Sequence, residues 1–172
     1  DEFLAGRLER NEKLVKKTRA SGDDELDAET YDKTVKEMER GVLCGPFTCV
    51  EEIPHPMIAV VPRHGIWEQH GGAVQRSCRA IDDMLQGEQN ATVGTTTSHR
   101  PTDPDGLVAQ VRATRRKYPK HRLKGWPMDL KSAYKQAPAC FKQIGLTVVA
   151  VWSPKHQRVM FFIAYCQLFG GK

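Results

Sequence analysis

GLTVVAVWSPKHQRVMFFIAYC, residues 145–166, holds two nearly continuous apolar runs, Gly145–Trp152 and Val159–Cys166. Ser153-Pro154-Lys155-His156-Gln157 joins them, so the pair reads as a β-hairpin. Val148, Val149, Val151, Phe161, Phe162 and Ile163 leave neither face polar. A strand that alternates with a polar face can lie on a surface; these two cannot, and the hairpin is predicted to be buried on both sides.

Upstream, Met57-Ile58-Ala59-Val60-Val61-Pro62 is a second short β run, and Val74 to Asp82 a third. Between them, Arg63-His64-Gly65 and Gly71-Gly72 bracket a stretch carrying Trp67, which predicts a hairpin with a long tip. Gly45-Pro46-Phe47 marks a turn. Residues 2–19 form a charged helix with a weak stripe of Phe3, Leu4, Leu8, Leu14 and Val15. A second helix is expected over roughly 27–40, with Asp27 as its cap and Gly41 as its stop. Residues 87–101 read as loop. Asp103-Pro104-Asp105 then opens a helix whose apolar face is Leu107, Val111 and Tyr118 and which ends at Pro119. A short strand over Leu123–Lys131 and a turn or short helix over 131–138 lead to the apolar hairpin.

The 172 residues carry a net charge of +5, unevenly placed. Residues 1–50 hold 9 Lys/Arg against 12 Asp/Glu, and residues 51–172 hold 17 against 9. A basic C-terminal two-thirds favours an anionic partner, nucleic acid foremost. The densest run is Arg112, Arg115, Arg116, Lys117, Lys120, His121, Arg122 and Lys124, with no acid among them. It reads equally as a phosphate track for a template strand or as cations placed at a helix C-terminus. The five cysteines show no C-x-x-C spacing, so neither a zinc ribbon nor a disulfide framework is indicated. Cys78 and Cys166 sit in apolar strands as small core residues. A reducing intracellular compartment, cytoplasmic or nuclear, fits this usage. No run of ~18 apolar residues spans a membrane, and none near the N-terminus reads as a signal peptide. The chain opens on Asp1 and stops at Gly170-Gly171-Lys172, and is expected to be a fragment.

Asp129 stands out in Trp126-Pro127-Met128-Asp129-Leu130-Lys131-Ser132-Ala133-Tyr134. Unpaired carboxylates are rarely left at the end of an apolar strand. It caps the next helix or holds a metal ion at the mouth of a sheet. Asp82 and Asp83 are neighbours on a strand, point apart, and are expected to be structural. The six histidines show no ligand spacing, and no nucleophile-elbow motif occurs.

Asp129, followed by Ala133-Tyr134, resembles the first catalytic motif of reverse transcriptases, in which an aspartate ends a palm strand. Val60-Val61-Pro62-Arg63 is similar to the segment that opens their fingers hairpin, and Arg76-Ser77-Cys78-Arg79-Ala80-Ile81-Asp82-Asp83 to the strand that returns. Pro101-Thr102 before a helix, Gly41 to Phe47, and Leu168-Phe169-Gly170 resemble the fingers-to-palm connection, the lead-in of retrotransposon polymerases and the start of the template-primer motif. These pieces cover residues 41–172 in the family's order. Leu168 stands where the family has proline, and its second acidic motif, Y-x-D-D, does not occur in these residues.

The resemblance implies an α+β, reverse-transcriptase-like fingers and palm with an antiparallel sheet and packed helices. Residues 1–42 would be an acidic helical segment, 43–122 the fingers subdomain and 123–172 part of the palm. It implies RNA-directed DNA synthesis, a Mg²⁺-dependent nucleotidyl transfer from dNTP on an RNA or DNA template-primer, with the remaining palm and thumb supplied by a longer parent chain. Asp129 would be the catalytic and metal-binding carboxylate, with the Leu130 carbonyl beside it. Arg79, and secondarily Arg63, would meet the triphosphate. Tyr134 would stack under the sugar and exclude a 2′-hydroxyl, unless it is a core aromatic; Phe169 would complete the nucleotide site. A non-catalytic nucleic-acid-binding fragment of the same fold is the alternative, and a small metal-dependent hydrolase built on Asp129 a weaker one.

Overall fold

The computed structural model describes residues 2–69, 76–92, 103–125 and 133–168. The chain forms two compact units, one made of Asp1–Val93 with Ser132–Lys172 and the other of Gly94–Lys131. The first carries helices α1 (Glu2–Ala5), α2 (Arg7–Lys17) and α3 (Asp24–Glu39), then strands β1 (Leu43–Phe47), β2 (Val60–Gln69) and β3 (Arg76–Asp82). A short α4 (Gln89–Thr92) follows; after residue 132 come the 3₁₀ turns Ala133–Gln136 and Phe141–Leu146, then β4 (Val148–Ser153) and β5 (Arg158–Ala164). The second unit carries α5 (Pro104–Lys117).

The architecture is α+β. Its five strands form one sheet in the order β1-β5-β4-β2-β3. Neighbours run antiparallel except β2 and β4, which are parallel in the register Val60↔Val148 to Arg63↔Val151. The sheet is therefore mixed where a purely antiparallel one was expected. The long connection from β3 to β4 gives the chain room to cross over and run parallel.

Strand alternation explains the apolar hairpin. Val149, Val151, Met160 and Phe162 face a core closed by Tyr31, Val35 and Met38 of α3. Val148, Ala150, Phe161 and Ile163 face an opposite core with Leu14 and Val15 of α2 and Ile144. Helices on both sides cover both faces, so neither needs a polar side chain. α2 is anchored by Asn11, whose Nδ2 donates to the Ile58 carbonyl while its Oδ1 accepts from the Val60 amide, both at 2.9 Å. Cys78 and Cys166 are buried, as their strands predict.

Three local expectations are corrected. The cap of α3 is Asp23, whose Oδ1 accepts from the Leu26 amide at 3.0 Å. Asp27 lies one turn inside the helix, buried, and accepts from the Ser21 amide. The helix stops as predicted at Gly41, at φ +72°, with the Gly41 amide on the Met38 carbonyl and the Val42 amide on that of Glu37. Gly45-Pro46-Phe47 is not a turn but the end of β1, where a register shift between Cys44 and Phe47 absorbs the proline on an edge strand. Arg63–Gln69 continue β2 instead of looping. Gly65 serves close packing there: a Cβ on it would run into the Thr30 and Leu26 side chains of α3.

In the second unit, Asp103 caps α5 by accepting from the Gly106 amide at 2.6 Å, with Pro104 at the first helical position, as the sequence predicts. No residue of α5 is buried. The expected strand at Leu123–Lys131 is not formed over residues 123–125, and its remainder lies outside the described residues, as does the hairpin tip at 70–75.

Candidate nucleotide and nucleic-acid site

Asp129, Leu130 and Phe169 lie outside the described residues. Tyr134 falls in the 3₁₀ turn Ala133–Gln136, and its side chain is likewise outside them. The next residue, Lys135, is ion-paired to Glu37 of α3.

Glu37 is also bound by Arg63 of β2, whose Nη1 donates to its Oε2 at 3.0 Å and to Thr34 Oγ1 at 3.1 Å. The other edge of the Arg63 guanidinium holds Asp82 of β3 in a fork, Nε to Oδ1 at 2.6 Å and Nη2 to Oδ2 at 3.1 Å. The Arg63 and Asp82 side chains are 1% and 2% exposed. Burial alone would weaken the charge on Arg63, but Asp82 and Glu37 more than reverse this and raise its pKa. Burial also acts to raise the Glu37 pKa; Arg63 and Lys135 outweigh it and hold the carboxyl below the ordinary glutamate value. Four side chains from α3, β2, β3 and the segment after Tyr134 thus form one charge network, buried at Arg63 and Asp82 and half-buried at Glu37 and Lys135. The sequence reading made Arg63 a secondary phosphate ligand at the hairpin; the structure gives its guanidinium to Asp82, Glu37 and Thr34.

A second link ties the same segment to the far end of the chain. Pro138 and Cys166 form an isolated antiparallel bridge. The Ala139 amide donates to the Tyr165 carbonyl, and the Gln167 amide to the Ala137 carbonyl, each at 2.9 Å. The residues that follow Tyr134 and those that precede Phe169 are therefore hydrogen-bonded neighbours. Burial raises the pKa of the Cys166 thiol, which suits a packing residue and not a nucleophile.

Arg76 and Arg79 turn to opposite faces of β3, as a period of two requires. Arg76 pairs with Glu25 and stacks on Trp67, 4.1 Å from the ring centroid. The Trp67 indole in turn donates to Asp23 at 2.8 Å. Arg79, the expected triphosphate ligand, is 43% exposed and donates to Glu68 at 2.7 Å. Asp82 and Asp83 do not converge: Asp82 belongs to Arg63, and Asp83 accepts from the Gln86 amide at 2.8 Å. Among the described residues no three His, Cys, Asp or Glu side chains gather as a metal site, and no helix is long and apolar enough to cross a membrane.

The basic run lies in the second unit. Arg112, Arg115 and Arg116 line an open 690 Å³ depression with Pro119. Lys117, Lys120, Arg122 and Lys124 continue it and are exposed.

Glu37, Thr34 and Lys135 did not emerge from sequence reading. The available signal was Thr30 and Thr34, one turn apart on the inner face of α3; a polar pair facing a core implies a polar partner there. No protein-family model, curated protein or solved structure matches this chain.

Proposed function

We propose that the chain carries the fingers and first palm segment of a retrotransposon-type reverse transcriptase, a nucleotidyltransferase and RNA-directed DNA polymerase. One observation carries this reading. Residues 137–139, just after Asp-Leu-Lys-Ser-Ala-Tyr, pair with residues 165–167, just before Leu-Phe-Gly, through Pro138 and Cys166, 28 residues apart, so the chain flanking two motifs that the resemblance assigns to one nucleotide site is brought together. The Glu37–Lys135 contact supports it by tying the same segment to α3 and, through Arg63, to β2.

Magnesium suits the proposed donors. A carboxylate and a backbone carbonyl are hard oxygen ligands, and Asp129 with the Leu130 carbonyl would hold the ion while dNTP phosphates complete its shell. The metal supplies charge neutralisation at the transferred phosphoryl group. The chain's own residues bind and orient: Tyr134 walls off the 2′ position, Arg79 meets phosphate oxygens, and Arg112 to Lys124 attract the template strand in an intracellular setting. Asp82 and Asp83 already have partners, and the resemblance takes the second shared carboxylate from the Y-x-D-D palm strand. The 172-residue polypeptide alone is therefore predicted to extend no primer with Mg²⁺ or Mn²⁺.

The experiment joins residues 1–172 to a retrotransposon palm strand carrying Y-x-D-D and to its thumb, then compares dNTP and rNTP incorporation. Tyr134→Val should raise ribonucleotide incorporation relative to the parent. Equal discrimination in both versions removes Tyr134 from the nucleotide site.

A further inference from the structure

We infer that the C-terminal half of α5 and the turn after it form a platform for single-stranded nucleic acid, with Arg112, Arg115 and Arg116 on phosphates and Tyr118 and His121 stacking a base. This rests on the nucleic-acid reading above and narrows it from any polyanion to an unpaired strand, RNA or DNA.

Arg112, Arg115 and Arg116 are three and four residues apart, which sets their guanidiniums side by side on a helix. Together with Pro119 they border one depression. Among the described residues, none of the seven Lys/Arg side chains from Arg112 to Lys124 is ion-paired to a carboxylate. That charge is open to a polyanion.

Charge alone would fit a duplex as well as a strand. The aromatic groups decide between them. Tyr118 ends α5, its amide on the Thr114 carbonyl, and its side chain is exposed. The His121 ring meets it edge-on with 5.7 Å between centroids, and Lys117 Nζ stands 5.5 Å from the Tyr118 centroid. Leu107 and Val111 extend the stripe along α5, both exposed. A duplex hides the faces of its bases in its own stack and offers this strip phosphate only. A single strand offers base faces to rings and phosphates to the flanking cations at once.

The test measures fluorescence anisotropy of the full 1–172 chain with three probes of roughly 20 nucleotides, oligo(dT), oligo(U) and a blunt DNA duplex. Both single strands should bind more tightly than the duplex at equal salt. Tyr118→Ser should weaken single-strand binding roughly tenfold while moving duplex binding less than about twofold, and Tyr118→Phe should restore it. Replacing Arg112, Arg115 and Arg116 together with Gln should weaken all three probes and lower the single-strand salt slope by about 2. Equal affinity for strand and duplex, or a Tyr118→Ser loss shared by all probes, overturns the platform alone. No binding to any probe at low salt overturns both the platform and the nucleic-acid reading beneath it.

Discussion

Asp82 accepts two hydrogen bonds from a guanidinium that is 1% exposed, so its charge matters chiefly for what it leaves behind when removed. Asp82→Asn or Asp82→Ala should cost about 3–5 kcal/mol in urea unfolding, because Arg63 then stays buried with only Glu37 to offset it. Arg63→Met leaves the buried Asp82 carboxylate without its guanidinium and should cost a similar amount. Glu37 adds a pH dependence. Its folded pKa is depressed, so its contribution is complete above the unfolded value, near 4.5, and is lost as pH falls through the lower folded value. Unfolding free energies of wild type and Glu37→Gln should therefore differ at neutral pH and converge in acid. A gap that stays constant down to the acid limit would show that Glu37 acts through shape and not charge. None of this network was legible from Arg63 alone. A single arginine after a proline reads as solvated or as a ligand; only the fold brings α3 and β3 to it.

At the scale of elements, α3 depends on Asp23 twice: it caps the Leu26 amide and accepts from the Trp67 indole. Asp23→Ala should lower the urea midpoint of unfolding, and by more than loss of the cap alone, because the indole loses its partner too. Where α3 crosses β2, Gly65→Ala should cost about 1–3 kcal/mol by overpacking against Thr30 and Leu26, and Thr30→Ala in the same chain should return part of it. Thermal unfolding of the two single variants and the double variant checks this. The buried hairpin, α5 and the stop at Gly41 were legible because each rests on local physics: apolar runs, a capping aspartate before proline, a glycine at positive φ. The start of α3 was misplaced because two aspartates four residues apart, Asp23 and Asp27, both fit the cap. The one that caps also holds Trp67, 44 residues downstream, a partner that local sequence does not show. Glycines misled in the same way, since Gly65 reads as a turn until a helix is found lying on it.

Over the whole molecule, the sheet joins strands that the sequence presents far apart, and β2 beside β4 is the case periodicity could not foresee. Alternation predicts that a strand is covered; it carries no information about which strand lies beside it or in which direction. The charge pattern was legible throughout, with acids gathered in the N-terminal helices and the basic run on α5 and beyond. The candidate site was legible only as motifs in order. The most direct measurement of the polymerase reading is primer extension by residues 1–172 joined to a Y-x-D-D palm strand and thumb, assayed with template-primer, all four dNTPs and Mg²⁺. Extension should be present and should fall to background in Asp129→Asn, since Asp129 then no longer shares the two closely spaced, mutually repelling divalent ions with the Y-x-D-D carboxylates. Extension that survives Asp129→Asn would contradict the account, and would place the metal site on other residues of the chain.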